Sequence, residues 1–378
     1  MVLLHLMESQ KQMGHDPVLL SLGDSDIGQK EIEVEAKQRE LEAHVLRFHN
    51  GLNLKGTSEI LRSARSLNAE IIHSHGYKGN ILLGIVPSSL RKIPIISTLH
   101  GWTSTRLLSR MRLYDILDAI TIKKFDAVVA VSSSIVEHRM IKTLGIHPVV
   151  INNGIPRLDF HKKDFAIEFP QIAAKCKERF KILCIGRLSP EKGMDVLIKG
   201  VSYIVNRGLD ASLVIIGEGP EKPRLAHLIN NMNLSDKVFL LGYCDKAFCF
   251  LRFFDVFVLP SYTEGLPITL LEAMQSGTPV VATRVGEVPE VLNGGRFGRM
   301  VPPGNPEALA KGIEELNSDK EETNRRSVGA RERVLTEYGL EKMVERYAEL
   351  YQVVIRRKVR GNWKREAIGK HPHESDSP

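Results

Sequence analysis

The sequence predicts an α/β protein made of two doubly wound domains that face each other across a cleft, and three observations carry that expectation. At 378 residues the chain is longer than one hydrophobic core usually supports. Short Val/Ile/Leu runs alternate with amphipathic helical patterns along its whole length, as buried parallel strands covered by helices require. A polar stretch with no strand run of its own, "PRLDFHKKDFAIEFPQIAAKCKERF", separates the halves, which places a domain linker near residues 156–180.

Taken in order, "MVLLHLMESQ" reads as a helix. It lacks the basic start and small-residue cleavage site of a leader, and Glu8 and Lys11 interrupt it. The first-half strand runs are "PVLLSLG", "AHVLRFH", "AEIIHSHG", "IPIISTLHG", "DAVVAVSS" and "HPVVINNG". Those of the second half are "FKILCIGR", "ASLVIIGEG", "KVFLLGY", "DVFVLPS" and "TPVVATR". The expected domains are residues 1–160 and 175–338, with the helical segment 340–365 packing back on the first and 366–378 a disordered tail. Open sheets of this design hold ligands outside the carboxyl ends of their strands, so the cleft between the halves is where a ligand belongs.

Composition narrows the function. Hydrophobic residues at 43% and charged residues at 26% match a soluble globular protein, and no stretch reaches the ~20 apolar residues of a transmembrane helix. A net charge of +7 would suit a phosphate-rich partner, but no zinc-finger spacing, RNP-type pattern or basic-aromatic interleaving supports nucleic acid. Cys176, Cys184, Cys244 and Cys249 fall at no metal or redox spacing and read as reduced, buried residues of a cytoplasmic protein.

Three polar turns follow strand runs in the second half. In "GRLSPEKG", Arg187 and Lys192 stand five residues apart ahead of a helix, and a planar guanidinium with a point-charge ammonium could clamp a diphosphate; an ordinary solvated turn is the alternative. "EGPEKPRL" places Gly217 and Gly219 before another helix, a weaker anion-site signal. The third turn is "SYTEGLPITLLEAMQSG". With Pro267 at the first helical position, the N–H groups of Leu266, Ile268 and Thr269 are free for hydroxyls or phosphate oxygens. Glu264 then lies in the turn, and Glu272 about 7–8 Å further along the helix axis. The plain alternative is two acids complementing a helix dipole.

"GRLSPEKG", "IIGEGPEKPRL" and "DVFVLPSYTEGLPITLLEAMQSGTPVVATRVGEVPEVL" followed by "VPPGNPEALA" resemble glycosyltransferase family 4, the retaining, nucleotide-sugar-dependent enzymes of GT-B fold. The likeness runs through residues 181–315 and includes the E-x7-E element at Glu264 and Glu272; "VINNGI" and "STLHG" match in the first half. It implies GT-B architecture with Rossmann-like domains, and transfer of a sugar from a nucleotide diphosphate to a glycan or lipid-linked acceptor. It implies that Arg187 and Lys192 hold the donor diphosphate, that Glu272 takes the ribose hydroxyls, and that Glu264 with Gly265, Leu266, Pro267 and Ile268 engages the transferred sugar. His100 corresponds to the family histidine near that sugar, and His75 and Lys78 in "HSHGYKGN" are acceptor-side candidates. No cofactor or metal is expected, because two cations serve the leaving phosphate; Asp24-Ser25-Asp26 is a chance D-x-D.

The chain departs from the family pattern twice. It begins where the helix after the family's first glycine-rich loop should be under way, so the first strand and that loop are expected to be absent. Glu287 also stands where a second glycine is usual, reshaping a surface turn. The first departure keeps a non-catalytic or truncated nucleotide-sugar binder as an alternative to the transferase, with a nucleotide-sugar epimerase the more distant one. Residues 105–125, "TRLLSRMRLYDILDAITIKKF", read as a surface helix with one face on the core; the competing reading is an interfacial helix drawn to anionic lipid, a peripheral membrane contact in cell-envelope polysaccharide synthesis.

Overall fold

A computed structural model of the chain describes residues 2–48, 53–87, 91–100 and 110–359. Gly101 of the "STLHG" match, residues 105–109 of the basic-apolar segment, and residues 360–378 lie outside the described residues. The chain divides into two compact units, one of residues 1–154 with 340–378 and one of residues 155–339.

In the first unit β1 (Leu19–Asp24) and β2 (Ala43–Phe48) form a parallel pair, and β3 (Ile72–His75), β4 (Ile95–Leu99), β5 (Ala127–Ala130) and β6 (Val149–Val150) form a parallel four-stranded sheet. Every residue of β4 and β5 is buried, Ser97 and Thr98 of β4 included, which is why neither strand shows the apolar-polar alternation of a half-exposed sheet. The helix Leu340–Val359 covers one face, where Met343, Val344, Tyr347, Leu350 and Val354 pack on Ile96, Ala127, Val129 and Ile151.

In the second unit β7 (Phe180–Ile185), β8 (Ala211–Ile216), β9 (Val238–Gly242), β10 (Val256–Leu259), β11 (Val280–Thr283) and β12 (Arg299–Val301) make one parallel sheet in the order β12-β11-β10-β7-β8-β9. From β7 the chain winds outward through β8 and β9; it then returns to β10 on the other side of β7 and winds away through β11. The reversal makes β7 and β10 neighbours at the topological switch point.

The segment expected to be a linker is not one. Residues 155–180 carry the helices Phe165–Glu168 and Pro170–Cys176, and Phe160, Phe165, Phe169 and Ile172 pack in the second core. Four bulky apolar residues in a polar stretch favour burial over a solvated tether. The chain passes between units at residues 154/155 and 339/340, and a parallel bridge pairs Ile155 with Gly339 inside the second unit. Strand β12 had no counterpart among the sequence runs. Its three residues, Arg-Met-Val, carry too little apolar pattern to be seen.

Candidate donor site and histidine network

Because β7 and β10 are neighbours, the turns at their carboxyl ends lie side by side. The N–H of Tyr262 donates to the carbonyl of Glu191 (2.8 Å) and ties the turns together. Gly193 closes the first turn at φ +62°, where a Cβ would sit 2.3 Å from the carbonyl oxygen of Pro260, so only glycine permits this approach. After β8, a Cβ on Gly217 would stand 1.9 Å from the carbonyl oxygen of Gly186. Gly217 and Gly219 thus have a packing reason to be glycine, bringing the third turn against the backbone of residues 186–188.

Lys192 and Glu264 meet. Lys192 Nζ donates to both carboxylate oxygens of Glu264 (2.7 and 2.9 Å), and Ser261 Oγ donates to one of them (2.6 Å). The Glu264 side chain is 7% exposed and that of Lys192 26%, so the acid lies beneath the ammonium. Ser261 is held in turn by Thr283, whose hydroxyl donates to the Ser261 carbonyl (2.6 Å). Sequence reasoning missed Ser261, although S-x-x-E before a helix is the capping-box spacing and could have pointed to it. Arg187 is exposed at the rim of the turn. A hydrogen bond from the Ser189 hydroxyl, aided by the charges of Lys192 and Arg187, holds Glu191 below the usual carboxylate range.

Pro267 is not the first helical residue. At ψ 111° its backbone is still extended, and it caps the helix Ile268–Ser276 from outside. The helix therefore starts at Ile268; the N–H of Leu270 bonds back to the Pro267 carbonyl (3.1 Å), while those of Ile268 and Thr269 stand at the tip. Gly277 ends the helix in the left-handed region at φ +78°. Glu272 is half-buried and takes no hydrogen bond or ion pair from any described residue. Burial pushes its carboxyl up to about 7.

Glu287 does not lie on a surface turn. It is 6% exposed, and its N–H donates to the Gly265 carbonyl (3.3 Å), so it abuts the Glu264–Gly265 turn. Its Oε1 is buried with no hydrogen-bond partner among the described residues.

In the first unit the structure joins two further candidates. His75 Nδ1 and His100 Nε2 are 3.2 Å apart, at the ends of β3 and β4. Below them His73 bonds through Nδ1 to the Tyr351 hydroxyl and through Nε2 to Thr98 Oγ1, both at 2.7 Å, and Thr98 also meets the Tyr347 hydroxyl at 2.9 Å. Burial, with His100 beside it, lowers His75 to about 3. Burial also holds His73 well below the usual imidazole range and lowers His100. These rings are neutral at physiological pH and act as hydrogen-bonding groups. Lys78 is ion-paired with Asp24, so the first acid of the D-x-D faces an ammonium.

This architecture is that of the GT-B glycosyltransferases. The chain spans 93% of itself and 95% of a solved Anabaena structure, HepE in complex with UDP, with a TM-score of 0.79 at 18% identity. A glycosyltransferase from Rickettsia africae superposes with a TM-score of 0.75 at 21% identity, over 94% of each chain. Residues 166–333 match the family described as glycosyl transferases group 1, and residues 1–157 the one described as glycosyltransferase family 4. The chain belongs to these glycosyltransferases. It is 29% identical over 303 residues to the N-acetyl-alpha-D-glucosaminyl L-malate synthase of Bacillus anthracis, 79% of this chain and 78% of that one. It is 26% identical over 312 residues, 79% of each, to the Escherichia coli UDP-Gal:alpha-D-GlcNAc-diphosphoundecaprenol alpha-1,3-galactosyltransferase.

Proposed function

We propose that the second unit binds a nucleotide-diphosphate sugar at its switch point and that the protein transfers the sugar, with retained configuration, to a glycan or lipid-linked acceptor in cell-envelope synthesis. The observation that carries this is the Lys192–Glu264 pair beside the helix tip at Ile268. One ammonium, one exposed guanidinium at Arg187 and outward N–H groups make a positive seat beside two carboxylates that accept from hydroxyls. In this reading Arg187 and Lys192 hold the diphosphate, Glu272 accepts from the ribose, and Glu264 with residues 265–268 orients the sugar. The bond from anomeric carbon to phosphate oxygen breaks, and its electron pair leaves on the diphosphate. The acceptor oxygen bonds to that carbon and gives its proton to the departing phosphate. The two cations stabilise the charge that develops, the task a divalent ion would otherwise perform. His100 of the first unit, with His75 at 3.2 Å fixing its orientation, keeps the role of the family's histidine in this reading.

The relatives support the substrate classes by name: the E. coli protein is named for a UDP-Gal donor and a diphosphoundecaprenol acceptor, and the Anabaena structure holds UDP. The proposed place of action is the cytoplasmic side, in peripheral contact with the membrane; among the described residues no helix is long and apolar enough to cross one. The test is thermal stabilisation across a panel of nucleoside diphosphates. One of them protects the wild type, and Lys192→Ala and Glu272→Ala each remove the protection. Equal protection of both variants overturns the site.

A further inference from the structure

The chain leaving β11 grips the Glu264 turn at three points. The Thr283 hydroxyl donates to the Ser261 carbonyl (2.6 Å). Gly286, at φ +51°, comes so close that a Cβ there would stand 2.0 Å from the Glu264 carbonyl oxygen and 3.2 Å from that of Gly265. The Glu287 N–H then donates to the Gly265 carbonyl (3.3 Å). These contacts lie outside the carboxyl ends of the paired strands β10 and β11, the edge of an open sheet at which ligands are held. The turn also has open space beside it, since a Cβ on Gly265 would meet nothing within 4 Å.

Two carboxylates therefore belong to one turn, and their hydrogen bonding differs. Glu264 is committed: it accepts two bonds from Lys192 and one from Ser261, which leaves about one of its roughly four acceptor positions. Glu287 is as deeply buried, at 6% exposure, yet its Oε1 is shut off from water with no donor among the described residues. It stands at the start of the short helix Val288–Val291, and its side chain caps none of that helix's N–H groups. A buried carboxylate oxygen without a donor costs stability, and in folded proteins such an atom marks strain or chemistry. Strain does not account for it here, because φ −82° and ψ −5° are ordinary helical values.

We propose that Glu287 is a specificity-determining residue for the donor: its carboxylate accepts a hydrogen bond from a hydroxyl or N–H group of the sugar that the Glu264–Gly265 turn orients. This rests on the donor site proposed above and names the group in it that selects the sugar. An acceptor buried in this way discriminates strongly, since a sugar lacking the matching hydroxyl or N–H leaves a charge unpaired. Glycine at position 287 supplies no acceptor, so the selection is a property of this chain's own substitution.

The test is titration calorimetry of the wild type, Glu287→Ala and Glu287→Gln. The ligands are UDP, GDP and ADP, with UDP-glucose, UDP-N-acetylglucosamine, GDP-mannose and ADP-glucose beside them. The readout is the ratio of nucleotide-sugar to nucleotide affinity, which a residue that only supports the fold does not move. For the nucleotide sugar that the wild type binds most tightly, Glu287→Ala lowers the ratio at least roughly tenfold and leaves nucleotide affinity within about twofold. Glu287→Gln keeps an acceptor without the charge and loses about threefold. In urea Glu287→Gln is at least as stable as the wild type, because an unpaired buried charge is removed. An unchanged ratio in both variants overturns the proposal, as does an equal fall in nucleotide and nucleotide-sugar affinity. A wild type that binds none of the three nucleotides overturns the donor site and this inference with it; nucleotide binding with an unchanged ratio overturns this inference alone.

Discussion

The two units solve one problem differently. In the second, β7 pairs with both β8 and β10, and a single ladder runs across six strands. In the first, no strand among the described residues joins β1–β2 to β3–β6, yet Leu20, Leu22 and Leu46 pack with Phe48, Ile72, Ile95 and Leu99 in one cluster. Apolar burial thus carries a core across a break in hydrogen bonding, because it is not directional. Polar chemistry cannot cross so freely. The second unit assembles its site from neighbouring strand ends, whereas the first routes its polar network through Tyr347 and Tyr351 of the returning helix. The titrating groups also point in opposite directions: a carboxyl raised by burial in the second unit, imidazoles lowered by burial in the first.

The comparison is tested most severely at Phe257, fully buried on central β10. Phe257→Ala costs about 3–5 kcal/mol and removes nucleotide protection, while amide exchange in β3–β5 keeps its protection. Loss of protection in both units would end their treatment as separate cores. Next comes Lys192→Ala, which lowers turnover by roughly 10²–10³-fold, about 3–4 kcal/mol, and strands the buried Glu264 carboxylate. The double variant Lys192→Met, Glu264→Gln regains stability without activity, measured by denaturant unfolding beside turnover.

The pH responses have opposite signs. A histidine whose folded pKa lies below its unfolded value of 6.5 is protonated first in the unfolded chain, so stability of the first unit falls as pH drops below 6.5, down to about 3 for His75. The slope is at most about 1.4 kcal/mol per pH unit for each ring, and His75→Asn reduces it in urea titrations at a series of pH values. Glu272 does the reverse. Its folded form keeps the proton up to about 7 against 4.5 unfolded, so a penalty on the second unit grows as pH rises through that window. Glu272→Gln removes the penalty, stabilising that unit by up to about 3 kcal/mol at pH 8, with binding of the nucleotide as the loss. A response of the same sign in both units would refute the electrostatic contrast.

Much of this was legible in the chain. The runs of Val, Ile and Leu that became β8, β10 and β11 are buried on both faces and so needed no alternation to be recognised. The turn at Glu264 was legible as a turn because Gly265 and Pro267 break the pattern between a buried strand run and a helix. What stayed hidden depends on tertiary partners. The ψ that makes Pro267 a cap, the burial of Glu287 against Gly265, and the meeting of Tyr351 with His73 some 278 residues away leave no local pattern. The linker was misplaced for the same reason: polar composition concealed phenylalanines that bury in the second core.

The helix Leu340–Val359 belongs to the unit whose other described elements precede residue 155. During synthesis the second unit, contiguous in sequence, can complete its core as soon as it leaves the ribosome. The first cannot, since Ile96, Val129 and Ile151 await residues 343–354. The half made first is finished last, and a stop codon near position 339 would injure the amino-terminal half while sparing the carboxyl-terminal one.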